Sequence, residues 1–276
     1  MDQSEKAELF EELHRPGDPF IIPNIHDVGC AKMMAAMGAK GVATTSAGFA
    51  FTVGQPDGAR VSRDEMLDHC EDVVRAVNIP VSADLENGYA DDPDGVAECV
   101  NLAAEVGLVG CTIEDTSFDK AQPSYDFEIA VERVRAGAEA AEAMPFPFMF
   151  CARADGVLIG SYDVQEAIRR LQAFEEVGAQ MVYCPLPPSM EDYAAICASV
   201  SIPVNVLCAG NFTKYSRDDF AKIGAARISI GSALARVTHR AILDIGQSMI
   251  ADGDFTGLQH SVSGGKIDKM LKEGSA

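Results

Sequence analysis

The chain has 276 residues, 47% hydrophobic and 23% charged, ordinary proportions for a globular enzyme with room for one large barrel or two small domains. Acidic side chains number 42 against 22 basic ones, a formal charge of −20. That balance argues against nucleic acid or an anionic membrane surface as a partner, and any anionic substrate would have to be met by a metal or an arginine.

The opening MDQSEKAELFEELHR is charged and helix-like, so residues 1–19 are expected to carry a helix and not a signal peptide. No run of about 18 apolar residues follows, and a cytoplasmic location is expected. Strand-like runs recur at 20–25, 41–47, 80–86, 109–115, 148–155, 181–186, 203–209 and 227–230, with helical patterns at 63–77, 94–106, 127–143, 164–177, 191–200, 217–223 and 232–251. Gly38-Ala39-Lys40-Gly41, Gly107-Leu108-Val109-Gly110, Gly178-Ala179-Gln180-Met181 and Gly224-Ala225-Ala226-Arg227 each stop a helix on glycine and open a strand. Proline opens two further strands, at Ile79-Pro80 and Ile202-Pro203. Eight β/α units whose strands lack a polar face predict a (β/α)8 TIM-type barrel. A doubly wound sheet is the alternative, but Asn24-Ile25-His26-Asp27-Val28-Gly29 is not a Gly-rich nucleotide loop. With no low-complexity linker, residues 1–276 read as one domain. Its glycine-punctuated tail, 252–276, is expected to wander over the surface or pack on another subunit. The eight cysteines show no zinc-ligand spacing and read as small core residues in a reducing compartment.

Charged residues close several of the strand runs: Asp84 and Glu86, Glu114 and Asp115, and Arg153, with Asp57 on the loop after an earlier run. Parallel strands would bring these onto one rim, where clustered carboxylates need a cation. Other barrel chemistries lack their residues. No strand end delivers a Schiff-base lysine, since Lys40 precedes its strand, and only His26 of five histidines falls at a strand end. Each candidate keeps an ordinary alternative: a turn cap for Asp84, a solvated strand exit for Glu114-Asp115, a turn for Asp57, and a core group for His26. For Arg153 it is an ion pair with Asp155 or Glu114.

At these same positions the chain resembles the isocitrate lyase/phosphoenolpyruvate mutase superfamily. The matching pieces are Pro23-Asn24-Ile25-His26-Asp27, Thr44-Thr45-Ser46-Ala47-Gly48, Gly54-Gln55-Pro56-Asp57-Gly58, Ala83-Asp84-Leu85-Glu86-Asn87-Gly88-Tyr89, Ile113-Glu114-Asp115 and Ala152-Arg153-Ala154-Asp155. The resemblance implies a barrel whose C-terminal helix is swapped between subunits of a homotetramer. It implies Mg²⁺, with Mn²⁺ as the alternative, held directly by Asp84 and largely through waters by Glu86 and Glu114. It also implies a small anionic 2-oxo acid as the substrate. Ser46, Ala47 and Gly48 would receive its carboxylate, Arg153 would bind its oxygens, and Asp57 would lie close by. His26, Gln122 and Asn205 complete the expected substrate-binding set, with Lys120, Arg153 and Asp57 as the expected catalytic residues.

Superfamily lyases that cleave isocitrate or methylisocitrate carry Lys-x-Cys-Gly-His on the mobile loop after the Glu114 strand, and phosphonate mutases carry Lys-Thr-Asn-Ser. This chain reads Asp119-Lys120-Ala121-Gln122-Pro123-Ser124-Tyr125. A carboxamide cannot replace the thiol as an acid, which disfavours isocitrate-type cleavage. The expected activity is therefore a Mg²⁺-dependent carbon–carbon lyase acting on a small 2-oxo or 2-hydroxy acid, in the manner of oxaloacetate decarboxylation. A phosphonopyruvate mutase or hydrolase and a non-catalytic 2-oxo acid binder are the alternatives.

Overall fold

The structure, a computed structural model, describes every residue except Ala59. Its strands are β1 (Phe20–Ile22), β2 (Asn24–Ile25), β3 (Val42–Thr44), β4 (Val81–Asp84), β5 (Gly110–Glu114), β6 (Thr116–Asp119), β7 (Gln122–Ser124), β8 (Met149–Arg153), β9 (Met181–Tyr183), β10 (Val204–Leu207) and β11 (Arg227–Ser229). Nine of them form one parallel sheet in the order β1-β11-β10-β9-β8-β5-β4-β3-β2, and β6 and β7 form a separate antiparallel hairpin. β1 and β2 are one strand interrupted by Pro23, which has no N–H to donate to a ladder. The first half pairs with β11 and the second with β3, so the eight-unit barrel of the sequence reading closes through this split strand. Asn24 stitches the seam: Nδ2 donates to the Thr44 carbonyl at 2.9 Å, and Oδ1 accepts from the N–H groups of Ile230 and Gly231, both at 2.9 Å.

The glycine junctions do what their chemistry predicts. Gly38, Gly107, Gly178 and Gly224 all adopt left-handed φ values, between +87° and +100°, at the turn from helix into strand. The N-terminal helix Gln3–Leu13, fixed by an Asp2/Glu5 capping box, closes the end of the barrel where the strands begin. Its Phe10 is fully buried and packs edge-on against His14 and Phe20. Among the described residues no helix is long and apolar enough to cross a membrane.

Three local expectations change. The run 41–47 stops as a strand at Thr44, because Thr45 caps a new helix, Ser46–Thr52, by accepting the Gly48 N–H at 3.3 Å. The loop after β5 is ordered as the β6–β7 hairpin. The tail is not irregular throughout: helix Gly264–Glu273 returns onto helix Val28–Ala36, and the Ala276 N–H donates to the Ala76 carbonyl at 3.1 Å.

Candidate active site

The charged strand ends meet at one rim of the barrel, above a cavity of about 360 Å³. Arg153, the last residue of β8, is the centre of the cluster. Nη1 lies 2.7 Å from Asp84 Oδ1, and Nη2 lies 2.8 Å from Glu114 Oε2 and 2.6 Å from Asp155 Oδ2. Nε donates to Asp155 Oδ1 at 3.1 Å, which makes the Asp155 grip bidentate. Asp84 is held from its other side, where Oδ2 accepts from Ser46 Oγ at 2.8 Å and from the Ser46 N–H at 3.1 Å. The Asp84 N–H donates to Thr44 Oγ1 at 3.1 Å.

Asp115, adjacent to Glu114, faces away from this group. It accepts from the Asp155 N–H, from Tyr162 Oη and from Arg170 Nη1, at 2.8, 2.7 and 2.9 Å. It therefore fixes the loop that aims Asp155 at Arg153. Glu86 lies beyond β4 in a left-handed backbone (φ +47°), a conformation that costs a non-glycine residue about 1–2 kcal/mol. Its side chain is buried and lines the cavity.

The electrostatics are unbalanced toward negative charge. Burial lifts the Glu114 carboxyl well above its ordinary 4.5; Arg153 opposes this, and Asp155 and Asp84 add to it. Burial and then Asp84 raise Asp57, and burial raises Asp155 against the pull of Arg153. For Arg153, burial works against the charge, but Asp155, Glu114 and Asp84 hold its pKa well above the ordinary value. Raised acids keep protons that the unfolded chain has released, so the stability present at low pH is lost as pH rises from the ordinary carboxylate range through the raised folded values. Melts of metal-free protein should show Tm falling as pH rises above about 4.5. Glu114→Gln should flatten that fall, and identical slopes would remove Glu114 as its source.

The cavity wall gathers Ser46, Ala47, Asp57, Asp84, Glu86, Glu114, Arg153 and Asn205 of the expected site residues. Four others do not line it. Gly48 is closely packed, since an added Cβ would come within 2.4 Å of Thr45 Cγ2 and 3.0 Å of His26 Cβ. His26 packs beneath it with Nδ1 buried and unbonded and Nε2 3.6 Å from Asp27 Oδ2. Lys120 and Gln122 are exposed near the tip of the β6–β7 hairpin, and it is Thr116 and Phe118 of that hairpin that line the cavity. Sequence reasoning did not single out Thr44, Tyr183 or Arg227, which also line it. Thr44 was quoted only as part of the matching segment 44–48, and Arg227 only as the start of a strand after a glycine stop. The eight cysteines are unpaired, and burial raises the thiols of Cys70, Cys111 and Cys151, so none of these three is poised as a nucleophile.

A family model described as phosphoenolpyruvate phosphomutase matches residues 10–250. The chain belongs to that family. It lies within the isocitrate lyase/phosphoenolpyruvate mutase superfamily, as the residue pattern around Asp84 and Arg153 led one to expect. An uncharacterized protein of Mycobacterium tuberculosis is 31% identical over 224 residues, covering 81% of each chain. Oxaloacetate decarboxylase of Pseudomonas putida is 23% identical over 241 residues, 85% of this chain and 81% of the other. A crystal structure from Burkholderia cenocepacia, provisionally designated a lyase/mutase, is 44% identical with a TM-score of 0.93 over 97% of this chain and 95% of that one. The fold is shared by a phosphonopyruvate hydrolase solved with oxalate and Mg²⁺ (20% identity, TM-score 0.84, 99% of this chain and 95% of that one).

Proposed function

We propose that this family member is a divalent-metal-dependent lyase that cleaves a carbon–carbon bond at C3 of a small 2-oxo or 2-hydroxy carboxylate, oxaloacetate-type decarboxylation being the simplest case. The observation that carries the reading is Arg153, held by carboxylates at the mouth of a cavity sized for a small organic anion. The acids outnumber the arginine and all the donors are oxygens, which suits a hard cation. Among the described residues no three His, Cys, Asp or Glu side chains stand in an arrangement that could by itself hold a metal ion. Mg²⁺ does not require such a cage, since it keeps several waters and uses one or two carboxylates. Asp84 would hold it directly and Glu86 and Glu114 largely through waters, with Mn²⁺ as the alternative. When bound, the ion supplies positive charge to the keto and carboxylate oxygens of a 2-oxo acid.

The chain's own residues supply the rest. Arg153 cannot lose its proton near neutral pH, so it remains a donor as negative charge grows on the substrate oxygens. Asp155 and Asp115 fix the plane in which it donates. Ser46, Ala47 and Gly48 begin the helix that would receive the substrate carboxylate, Ser46 and Ala47 directly and Gly48 by letting that helix sit close to His26. Both 2-methylisocitrate lyases and oxaloacetate decarboxylases are among the relatives; it is the hairpin at 116–124, which carries no cysteine, that favours this reading over isocitrate-type cleavage.

The second reading is carbon–phosphorus chemistry on phosphonopyruvate, favoured by the family model and by a carboxamide, Gln122, on the hairpin. Phosphorus NMR separates the two, because phosphate or phosphoenolpyruvate formed from phosphonopyruvate would support this reading and displace the first. Metal-dependent binding of 2-oxo acids without turnover of any would leave a binder. If the hairpin closes as a lid, Lys120→Ala lowers kcat more than it raises KM, whereas unaltered kinetics mark a passive loop.

We also propose that helix Ala233–Asp252 is exchanged between subunits of a homotetramer. Only Ala235 of its 20 residues is buried, and Val237, Ile242, Leu243 and Ile250 are exposed. Light scattering should give four times the 29.3 kDa chain mass, and a monomer would contradict the exchange.

A further inference from the structure

Arg227 presents the opposite problem to Arg153. It opens β11, lines the same cavity and is 2% exposed. Nε donates to Asn205 Oδ1 at 2.8 Å, and Nη1 points to His14 Nε2 at 3.5 Å. His14 is fixed as a neutral acceptor: its Nδ1–H donates to the Phe10 carbonyl at 2.7 Å, and burial, with Arg227 adding to it, pushes its pKa down to about 3. Asn205 Nδ2 donates in turn to Ser229 Oγ at 2.8 Å. The ionisable groups that act most strongly on Arg227 are Cys151, Tyr183 and Cys111, and among the described residues no carboxylate pairs with it. A guanidinium keeps its charge in proteins, and a buried charge without a counter-ion is costly.

Arg227 begins its strand and Arg153 ends its own, and the strands are parallel. The backbone register runs in one row from Arg153 through Tyr183 and Asn205 to Arg227. What separates the two guanidiniums in depth is what each meets: Arg153 the rim acids, Arg227 His14 of the helix that closes the opposite end of the barrel. The mouth is rich in acids, while the floor carries an unbalanced positive charge beside two neutral polar groups that also line the cavity, Asn205 and Ser229.

We propose that Arg227, with Asn205 and Ser229 beside it, is an anion-binding subsite at the cavity floor that takes the far carboxylate of a dicarboxylate whose reacting end sits against Arg153. The placement of the reacting end rests on the function proposed above. A carboxylate paired with an arginine is not the one released as CO₂, so the subsite narrows the substrate class to 2-oxo and 2-hydroxy diacids cleaved between their two carboxylates.

The test is calorimetric titration and thermal melting of the metal-free, full-length protein with acetate and succinate as probes, in wild type, Arg227→Met and Asn205→Asp. Succinate should bind wild type more tightly than acetate does. Arg227→Met should weaken succinate about tenfold or more, the worth of a charge-assisted pair. Replacing an unpaired buried charge by an apolar chain should leave the unliganded Tm unchanged or higher, whereas a lowered Tm with unchanged succinate affinity would mark Arg227 as structural and overturn the proposal. Asn205→Asp supplies the missing carboxylate from within, so it should raise the unliganded Tm and abolish the succinate effect. Succinate stabilisation that persists in that variant also overturns the proposal. No metal is present in these titrations, so failure here leaves the metal-dependent reading standing. Succinate binding that depends on Arg227, in a protein that turns over no 2-oxo acid, would retire the activity and keep the subsite.

Discussion

Asp84→Asn should lower metal-dependent kcat/KM by about 10³-fold, the scale of losing one electrostatic anchor of a transition state, while leaving the fold intact. The asparagine keeps the shape of the aspartate, and its amide oxygen can still accept from Ser46 Oγ and N–H. Arg153 would keep two of its three carboxylates, Glu114 and Asp155, so no buried charge is stranded. With the amide oxygen turned toward Ser46, the amide NH₂ faces Arg153 Nη1, donor against donor, so the change removes the proposed direct metal ligand and one acceptor of Arg153. Turnover titrated with Mg²⁺, alongside a melting curve, checks it. Unchanged Mg²⁺ dependence would mean that Asp84 is simply the structural partner of Arg153.

Arg153→Met should act on stability as well as activity. It leaves Asp84, Glu114 and Asp155 gathered at a largely buried site without their cation, a loss on the order of 3–5 kcal/mol for breaking a buried pair. Protonation of Glu114, already favoured by burial, would absorb part of that cost, so the defect should grow as pH rises. Added Mg²⁺ should restore part of the lost Tm, because it offers the acids another counter-ion, but it should not restore turnover. A variant that melts like wild type would show that the cluster is not electrostatically strained. Turnover rescued by Mg²⁺ alone would show that Arg153 is not needed to stabilise the developing charge.

The rim was legible in the sequence because a single local rule governs it. An apolar parallel strand that ends in a charge places that charge at the C-terminal face of a barrel, and Asp84, Glu114 and Arg153 each do so. Helix stops were legible for a similar reason, since left-handed glycine is a local requirement. What was not legible depends on the third dimension. Arg153 and Asp84 are 69 positions apart, and no local pattern says that one guanidinium spans three acids. Arg227 looked like an ordinary strand start, and only its burial without a carboxylate sets it apart. Gly48 and His26 sit in matching motifs, yet neither lines the cavity. The β6–β7 hairpin was read only as the loop that follows the Glu114 strand; Pro123 falls inside β7, and proline ordinarily argues against a strand, but this short, exposed hairpin strand tolerates it. The helix at Gly264–Glu273 was obscured by the two glycines that begin it.

Pyruvate formation from a panel of 2-oxo and 2-hydroxy acids, measured with Mg²⁺ and again with a chelator, decides whether the acids around Arg153 serve a metal-dependent lyase. Pyruvate should form from oxaloacetate or a related diacid, and its formation should be abolished by the chelator and reduced by Asp84→Asn. Turnover that is unaffected by the chelator, or pyruvate from none of the panel, would contradict that role.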